Sequence, residues 1–589
     1  MTGISISSVP GSWYYFLNAA VHFHPTAGAP LPTRGQGVLL RWTGDSHEAG
    51  RGGDTVNGGD SLSRGQLTDT MAFPGASSGE ERMSKLPSRL VCAGLASVIV
   101  AAGSAGAQTG PVITHGIAAG DVTSVSAIVW ARSDRPATMR VLAEPLTGSG
   151  PGVEARVETT KDRHLSGQTT LTSLAPDTRY RYQIWFEADG ISGTAEAGTF
   201  RTAPMANVRA AVSLIWGGDL AGQGYWRRAD DGFPIFEPMR AFDADVFVAN
   251  GDMIYADSVC PPRGPGWVNV PGDFPGIADP AVDWEDPAAV DEVYAAHWRY
   301  NRTDPAFQNF LRMTPMYVQW DDHEVINDFG AAWPALAAAP ERAGYPNIVA
   351  AGRTAFFDFH PITRHPDEPD RIYRAFRWGR DVELFILDAR SYRSENRAAD
   401  DPDAGKTMLG EAQLSWLKEA LAVSTATWKI VSTDVPLSIP TGSRPEQLGR
   451  DAFAGGASPA GSSGTGFERE LLDLLAHLDR EEVANVVFIA TDVHFASQFR
   501  YEKDFDGDGD LLLFHELVSG PLSAVRRAAP SELDPTLHPV VLYAEGDIFN
   551  FGTVRIGEGG PDAPTLRTDI RDETGRIRPG SKLELSPEP

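Results

Sequence analysis

From residue 210 onward, short apolar, β-branched runs alternate with stretches of helical period. "RAAVSLIWGGD", "ADVFVANGD", "PMYVQWDDHE", "VELFILDAR", "TWKIVSTD" and "NVVFIATDVH" read as buried strands, each followed by an acidic residue. Amphipathic patterns such as "GEAQLSWLKEALAV" and "FERELLDLLAHLDREEV" lie between several of them. This alternation predicts an α/β domain over residues 210–589, closed by "TVRIG" and "TLRTDIRDETGRIR" as two strands joined by a turn. Ahead of it, from Thr114, the period drops to two. "SAIVWARSD", "RVLAEPL", "TTLTSLAPDTRYRYQIWFEADG" and "GTAEAGTFRTAP" are half-buried strands broken by turns. They predict a separate β module over residues 112–204, joined to the larger domain through "TAPMANVR".

Residues 1–82 show neither period and are rich in Gly, Ser and Asp, as in "EAGRGGDTVNGGDSLSRGQ". They read as a mis-called or disordered extension. From Met83 the pattern is that of a signal peptide over residues 83–107. Lys85 and Arg89 are basic, "LVCAGLASVIVAAG" is apolar, and Ala105-Gly106-Ala107 offers a small-residue cleavage site before Gln108. The apolar run is too short for a comfortable membrane span. A leader works from the chain start, so Met83 is the expected start. A periplasmic or secreted chain without a transmembrane helix is then expected. Cys92 would leave with the leader, so Cys260 would be the remaining thiol and no internal disulfide could form.

The 589 residues carry a net charge of −27, which argues against a nucleic-acid-binding surface and suits a binder of cations. The acidic residues have a pattern of their own. Asp219, Asp252, Asp322, Asp388, Asp434 and Asp492 each follow a strand-like run. One such Asp is a turn former. Several at the carboxyl edge of one sheet, where α/β folds gather their ligands, are stable only around cations or shared protons. "QWDDHEVINDFG" is therefore read as facing metal. In "NGDMIYAD", Tyr255 follows Asp252 at i+3, and in "TDVHFA", Asp492 and His494 at i and i+2 point the same way from an extended backbone. A phenol with a free pKa near ~10 ligates only a strongly Lewis-acidic ion. Carboxylate, phenolate and imidazole together suit iron, with oxygen-only groups left for a calcium-like neighbour.

Taken together, "THGIAAGDVTSVSAIVWARSD", "WGGDLAGQG", "FVANGDMIYAD", "QWDDHEV", "TDVHFA" and "FHELVSGPL" resemble the alkaline phosphatase D (PhoD-like) family of calcineurin-type metallophosphatases. "LAPDTRYRY", with Trp130 upstream, is similar to a fibronectin-type or immunoglobulin-like sandwich. The resemblance implies a four-layer α/β/β/α metallophosphatase domain preceded by a fibronectin-like β-sandwich. It also implies a dinuclear or trinuclear centre of Fe3+ and Ca2+ that hydrolyses phosphate mono- or diesters. Position by position, Asp219 matches the first metal ligand. The best-known members have Cys there, and the Asp brings this chain closer to purple acid phosphatases, which share the Asp-x-x-Tyr element. Asp252 would bridge the metals, Tyr255 would bind the iron and Asp322 the second metal. His323 matches the catalytic histidine, and Asp492 and His494 the closing ligand pair. Asn327 or Asp328 would reach the calcium-side ion. The family's middle metal-binding His has no counterpart in "VSTDVPL", where Asp434 stands in about that place.

Two ions about 3.5–4 Å apart can hold a phosphate and lower the pKa of a bridging water. The resulting hydroxide would attack phosphorus in line, with His323 stabilising charge on the leaving oxygen or donating its proton. A phosphodiesterase or phospholipase of the same fold is the neighbouring alternative. A non-catalytic calcium-binding surface protein is the rival from another class. "DFDGDGDLLLFHE" supports the rival, with Asp504, Asp506 and Asp508 at alternate positions and then Gly509, although the twelfth position is His515 and not an acid. His323 and Tyr255 favour the enzyme, since a calcium binder needs neither. Arg299, Arg390 and Arg393 are candidates to orient phosphate. Cys260 reads as a bystander thiol, and a monomer is expected.

Overall fold

Strands buried on both faces must be covered on both faces, and two sheets stacked on one another between helices do this. The computed structural model describes residues 109–588, apart from 148–149, 273, 278, 331–346, 402–404, 443–448, 456–463, 531–532 and 559–563. The 1–82 extension, the 83–107 leader with its Cys92, and Gln108 lie outside the described residues.

One sheet of the stack has Val212–Gly217, Val246–Ala249 and Met316–Val318 side by side and parallel. Asn550–Ile556 and Leu566–Asp572 extend it as an antiparallel pair, as their pattern predicted. The second sheet runs in the order Arg374–Trp378, Val382–Ile386, Trp428–Ser432, Val486–Ala490, Leu512–Val518, Ala496–Lys503, Val540–Glu545, and four of these strands are parallel. Leu214, Trp216, Val248 and Tyr317 of the first sheet pack in one core with Leu384, Ile430, Val487 and Leu517 of the second. The outer face of the first sheet is covered by helices that include Pro287–Arg302 and Ile348–Asp358, and that of the second by Gly410–Val423 and Glu468–Arg480. This is the four-layer α/β/β/α arrangement.

Local rules account for two of the helix starts. Asp286 caps Pro287–Arg302 by accepting from the Ala288 amide, and Asp304 caps Pro305–Leu311 by accepting from Phe307. Each is followed by a proline, whose missing N–H would have had no partner in a first turn anyway.

The N-terminal strands form a fibronectin-like sandwich. Ile113–Gly120, Ser126–Ser133 and Ser166–Thr172 make one layer; Val153–Thr159, Ala137–Pro145, Arg179–Ala188 and Glu196–Arg201 make the other. Tyr180, Tyr182, Ile184 and Phe186 alternate into its core. The Tyr180 hydroxyl accepts from the Ala175 amide at 2.8 Å, the tyrosine corner of such sandwiches. The sandwich is not free-standing. Gly120 pairs in parallel with Met316, so its first layer continues into the first catalytic sheet. A Cβ on Gly120 would lie 2.4 Å from the Met316 carbonyl oxygen and 2.5 Å from that of Pro361, so only glycine lets the two sheets meet. Trp130, taken from sequence as part of the sandwich signature, is turned the other way. Its indole donates to the Asp358 carbonyl at 2.7 Å and lies under Arg302, within the helix-side core of the larger domain. An indole N–H needs a buried acceptor, and the Asp358 carbonyl at the end of Ile348–Asp358 supplies one.

Candidate metal centre

The parallel strands of both sheets end on one side, and the turns after them are tied together. The Leu220 amide donates to the Asp252 carbonyl at 2.7 Å, and the Ala256 amide to the His323 carbonyl at 3.0 Å. The His323 amide donates to Asp252 Oδ1 at 3.1 Å. Glu324 braces the set, accepting from the amides of Asp252, Met253 and Asp321 at 2.7–3.0 Å. Several residues held by these turns are left-handed: Asp219 (φ 58°), Asp252 (φ 51°), Asp328 (φ 59°), Asp492 (φ 72°) and His494 (φ 62°). L-residues rarely adopt this conformation, and such strain collects at functional sites.

Asp219, Asp252, Tyr255, Asp322, His323, Asp492 and His494 converge. Tyr255 Oη lies 3.3 Å from His494 Nε2, which is 3.9 Å from Asp219 Oδ1. The Tyr255 ring stacks on His323 with centroids 4.2 Å apart. It also packs on Gly222, where an added Cβ would come within 2.2 Å of the ring. Asp252, Asp322 and His323 each bring one ligand atom within 4.8 Å of the others. Asp219 Oδ1, Asp322 Oδ1 and Asp492 Oδ2 are buried without a hydrogen-bond partner. Buried carboxylate oxygens without donors are costly, and a cation is what would offset that cost. These residues therefore fit a metal.

The electrostatics agree. Burial, with Asp322 and other acids nearby, raises Asp252 and Asp492 well above the usual carboxyl range. Burial and the facing carboxylates push the Tyr255 phenol well up, so the side chain ionises only if a cation draws off its proton. Burial lowers His494 to about 3, leaving a neutral imidazole. His323 differs from it. Burial, the largest effect, lowers it, but Asp257 at 2.8 Å from Nδ1 and then Asp322 hold it at about 9. Asp257 is the last residue of the quoted "NGDMIYAD", yet sequence reasoning gave it no role.

The remaining acids are arranged differently from the ring expected. Asp321, next to Asp322, is turned to Arg390, with Oδ1 accepting from Nε at 2.6 Å. Asp434 is turned to the same guanidinium at 3.1 Å, and Asp451 to Arg390 at 2.8 Å and Arg393 at 2.6 Å. Asp388 Oδ1 accepts from Trp320 Nε1 and from the amides of Arg390 and Ser391, as a turn former does. Of "DDHE", then, Asp322 and His323 belong to the centre, while Asp321 pairs with arginine and Glu324 holds backbone. Asp328 lies with Asp322 and Asp451 in a second acidic triple, and its amide donates to Asp322 Oδ2 at 2.5 Å; Asn327 is exposed. Asp451 had no sequence signal.

Nor do the arginines act as expected. Arg390 and Arg393 are fully buried among carboxylates, and Arg299 pairs with Glu292 on the Pro287–Arg302 helix. The 504–510 loop largely satisfies itself: Asp504 accepts from Gly507 and Gly509, Asp506 from Asp508, and Asp508 from Asp510. Asp479 joins Asp504 and Asp506 there, while His515 sits in a strand. Cys260 is a free, half-buried thiol.

Two stacked sheets between helices, with an acidic centre at their shared strand ends, define a metallophosphatase. The sequence model of the PhoD-like phosphatases matches residues 214–547, and that of their N-terminal domain residues 100–204. The chain belongs to the PhoD-like phosphatase family and is a phosphoric ester hydrolase. It is 23% identical over 453 residues to alkaline phosphatase D of Bacillus subtilis (strain 168), covering 72% of this chain and 71% of that protein. A solved structure of PhoD superposes with a TM-score of 0.63 at 16% identity, over 82% of this chain and 93% of that one. Purple acid phosphatase PPD1 from yellow lupin seeds does so at 0.52 and 14%, over 81% and 74%.

Metal-free, the centre should depend on pH in a definite sense. Burial above all raises Asp219 and Glu324 to about 7 and Asp328 to about 8. Their folded values exceed the unfolded ones, so the stability they contribute is present at low pH and lost as pH rises through about 7–8. His323, at about 9 when folded, acts in the same sense. Bound cations reverse this penalty. The difference in melting temperature between metal-loaded and chelator-treated protein should be larger at about pH 8 than at about pH 5. An equal or smaller difference at the higher pH would contradict this arrangement of charges.

Proposed function

We propose that the chain is an exported, metal-dependent hydrolase of phosphate esters. Asp219, Asp252, Tyr255, Asp322, Asp492 and His494 would hold the cations, with Asp328 on the calcium side. The observation that carries the reading is the set of unpartnered buried oxygens of Asp219, Asp322 and Asp492 beside an imidazole oriented by Asp257. The similarity to alkaline phosphatase D and to a purple acid phosphatase supports it. Bound cations supply Lewis acidity, which draws charge from phosphoryl oxygens and eases the ionisation of water.

The chain's own groups do the rest. Asp257 fixes the His323 ring and favours its protonated form, so the opposite ring nitrogen can donate to the leaving oxygen. The Tyr255 ring, wedged between Gly222 and His323, limits the tilt of that imidazole. Glu324 holds the Asp252 amide, which keeps the Asp252 carboxylate in its left-handed turn. Fe3+ with Ca2+ is the pairing favoured by a phenol, an imidazole and hard carboxylates together.

Catalysis and metal binding should separate by mutation. His323→Ala should keep its metals while losing on the order of 10²–10⁴ in turnover, and less for nitrophenyl esters, whose leaving group needs little protonation. Asp252→Asn should lose metal and activity together. Loss of metal from His323→Ala, or equal impairment on good and poor leaving groups, would remove the acid role from His323.

Tyr255 bound to ferric iron should give a visible charge-transfer band that Tyr255→Phe abolishes. A colourless, fully active enzyme would rule out iron at Tyr255, since zinc and calcium are closed-shell ions without such a band.

Export with removal of the leader should leave Gln108 as the first residue. Exported protein whose N-terminal sequence still includes residues from 1–82 would refute this processing.

A further inference from the structure

The arginines picked out by sequence are occupied elsewhere, yet a phosphoryl dianion entering a chain of net charge −27 needs a cation at the mouth. The loop after Leu512–Val518 supplies one. Its first part is stitched to the Asp219 turn: Leu522 donates to the Gly218 carbonyl at 2.9 Å, Ser523 to that of Asp219 at 2.9 Å, and Ala221 to that of Ser523 at 2.7 Å. Its far end is stitched to the His494 turn, where the Arg527 amide donates to the His494 carbonyl at 3.0 Å. The Arg527 carbonyl accepts from the Asp547 amide at 2.8 Å, and a Cβ on Gly546 would come within 2.4 Å of that oxygen. Glycine at 546 thus allows the backbone of Arg527 to be clamped from both sides.

The two neighbouring arginines of this loop differ. Arg526 is engaged, stacked over Phe549 at 4.8 Å and donating to the Asp547 carbonyl at 3.2 Å. Arg527 is exposed, and no carboxylate, carbonyl or aromatic ring among the described residues engages its side chain. Its backbone is one hydrogen bond from His494, so the side chain starts beside the centre. An anchored backbone carrying an unneutralised guanidinium is preorganised to take an anion bidentately.

We propose that Arg527 grips the phosphoryl oxygens of the substrate at the mouth of the centre and sets a preference for dianionic monoesters over monoanionic diesters. This rests on the hydrolase reading above. Coulomb attraction to a fixed cation doubles with the charge of the ligand, so the monoester gains more.

The test uses p-nitrophenyl phosphate and bis(p-nitrophenyl) phosphate, which release the same phenolate, so the demand on His323 cancels. Arg527→Ala should lower kcat/KM for the monoester roughly ten-fold or more, mainly through KM, and that for the diester by no more than about three-fold. Arg527→Lys should restore part of the loss, and the loss should shrink as salt is raised. Equal effects on both esters, or a loss in kcat that lysine does not restore, would overturn the proposal. Calorimetry of inorganic phosphate binding to metal-loaded protein provides a readout apart from turnover. Binding roughly ten-fold weaker in Arg527→Ala sustains the proposal, and unchanged binding overturns it. A wild-type chain that binds phosphate but cleaves neither ester would count against the hydrolase reading alone.

Discussion

A single guanidinium decides how so many acids can share one edge of the fold. Arg390 is fully buried between Asp321, Asp434 and Asp451, and Arg393 adds a second contact to Asp451. Paired this way, Asp451 is held down at about 2: burial raises it, but Arg390 and Arg393 outweigh burial. Taking one partner from such a group leaves a buried charge uncompensated, which is strongly destabilising. Arg390 thus neutralises one side of the acidic edge from within the chain. Its reach ends near Asp322, 3.9 Å away; beyond it Asp219, Asp322 and Asp492 keep buried oxygens without donors, and Asp252 is pushed toward protonation. The proposed cations would serve the acids that Arg390 does not hold within hydrogen-bond distance.

The layers of the larger domain were legible because the signal is local. Apolar runs bounded by acids, alternating with amphipathic helices, can pack in few ways. The convergence of Asp219, Asp252, Tyr255, Asp322, His323, Asp492 and His494 was legible because each sits one turn beyond such a run, and topology alone brings strand ends together. Partner choice was not legible. Asp321 and Asp322 are adjacent and chemically identical, yet Asp321 accepts from Arg390 at 2.6 Å while Asp322, 3.9 Å from the same guanidinium, lies with Asp252 and His323. Only the position of Arg390, distant in sequence, separates them. Asp434 looked like a stand-in for a metal-binding His for the same reason. Asp451 and Asp257 act through spatial proximity that no periodicity encodes.

The sandwich shows the limit of reading modules from composition. Its strand pattern and tyrosine corner are local, so they could be read. Two features of its fusion to the catalytic sheet are the glycine-mediated pairing of Gly120 with Met316 and a tryptophan that leaves its own sheet to find a carbonyl. Both are long-range contacts. They make the first layer of the sandwich an extension of the sheet whose opposite strands carry Asp219 and Asp252, which ties the position of the centre to the N-terminal strands.

The central claim is that Asp219, Asp252, Asp322 and Asp492 are built around cations. Anomalous diffraction from crystals of the active protein, recorded on both sides of the iron absorption edge, tests it most directly. The account predicts an iron site within coordinating distance of Asp219, Asp252, Tyr255 and His494. It also predicts a second, non-iron site beside Asp322 and Asp492. An active protein with no ion at these residues, its carboxylates sharing protons among themselves, would contradict it.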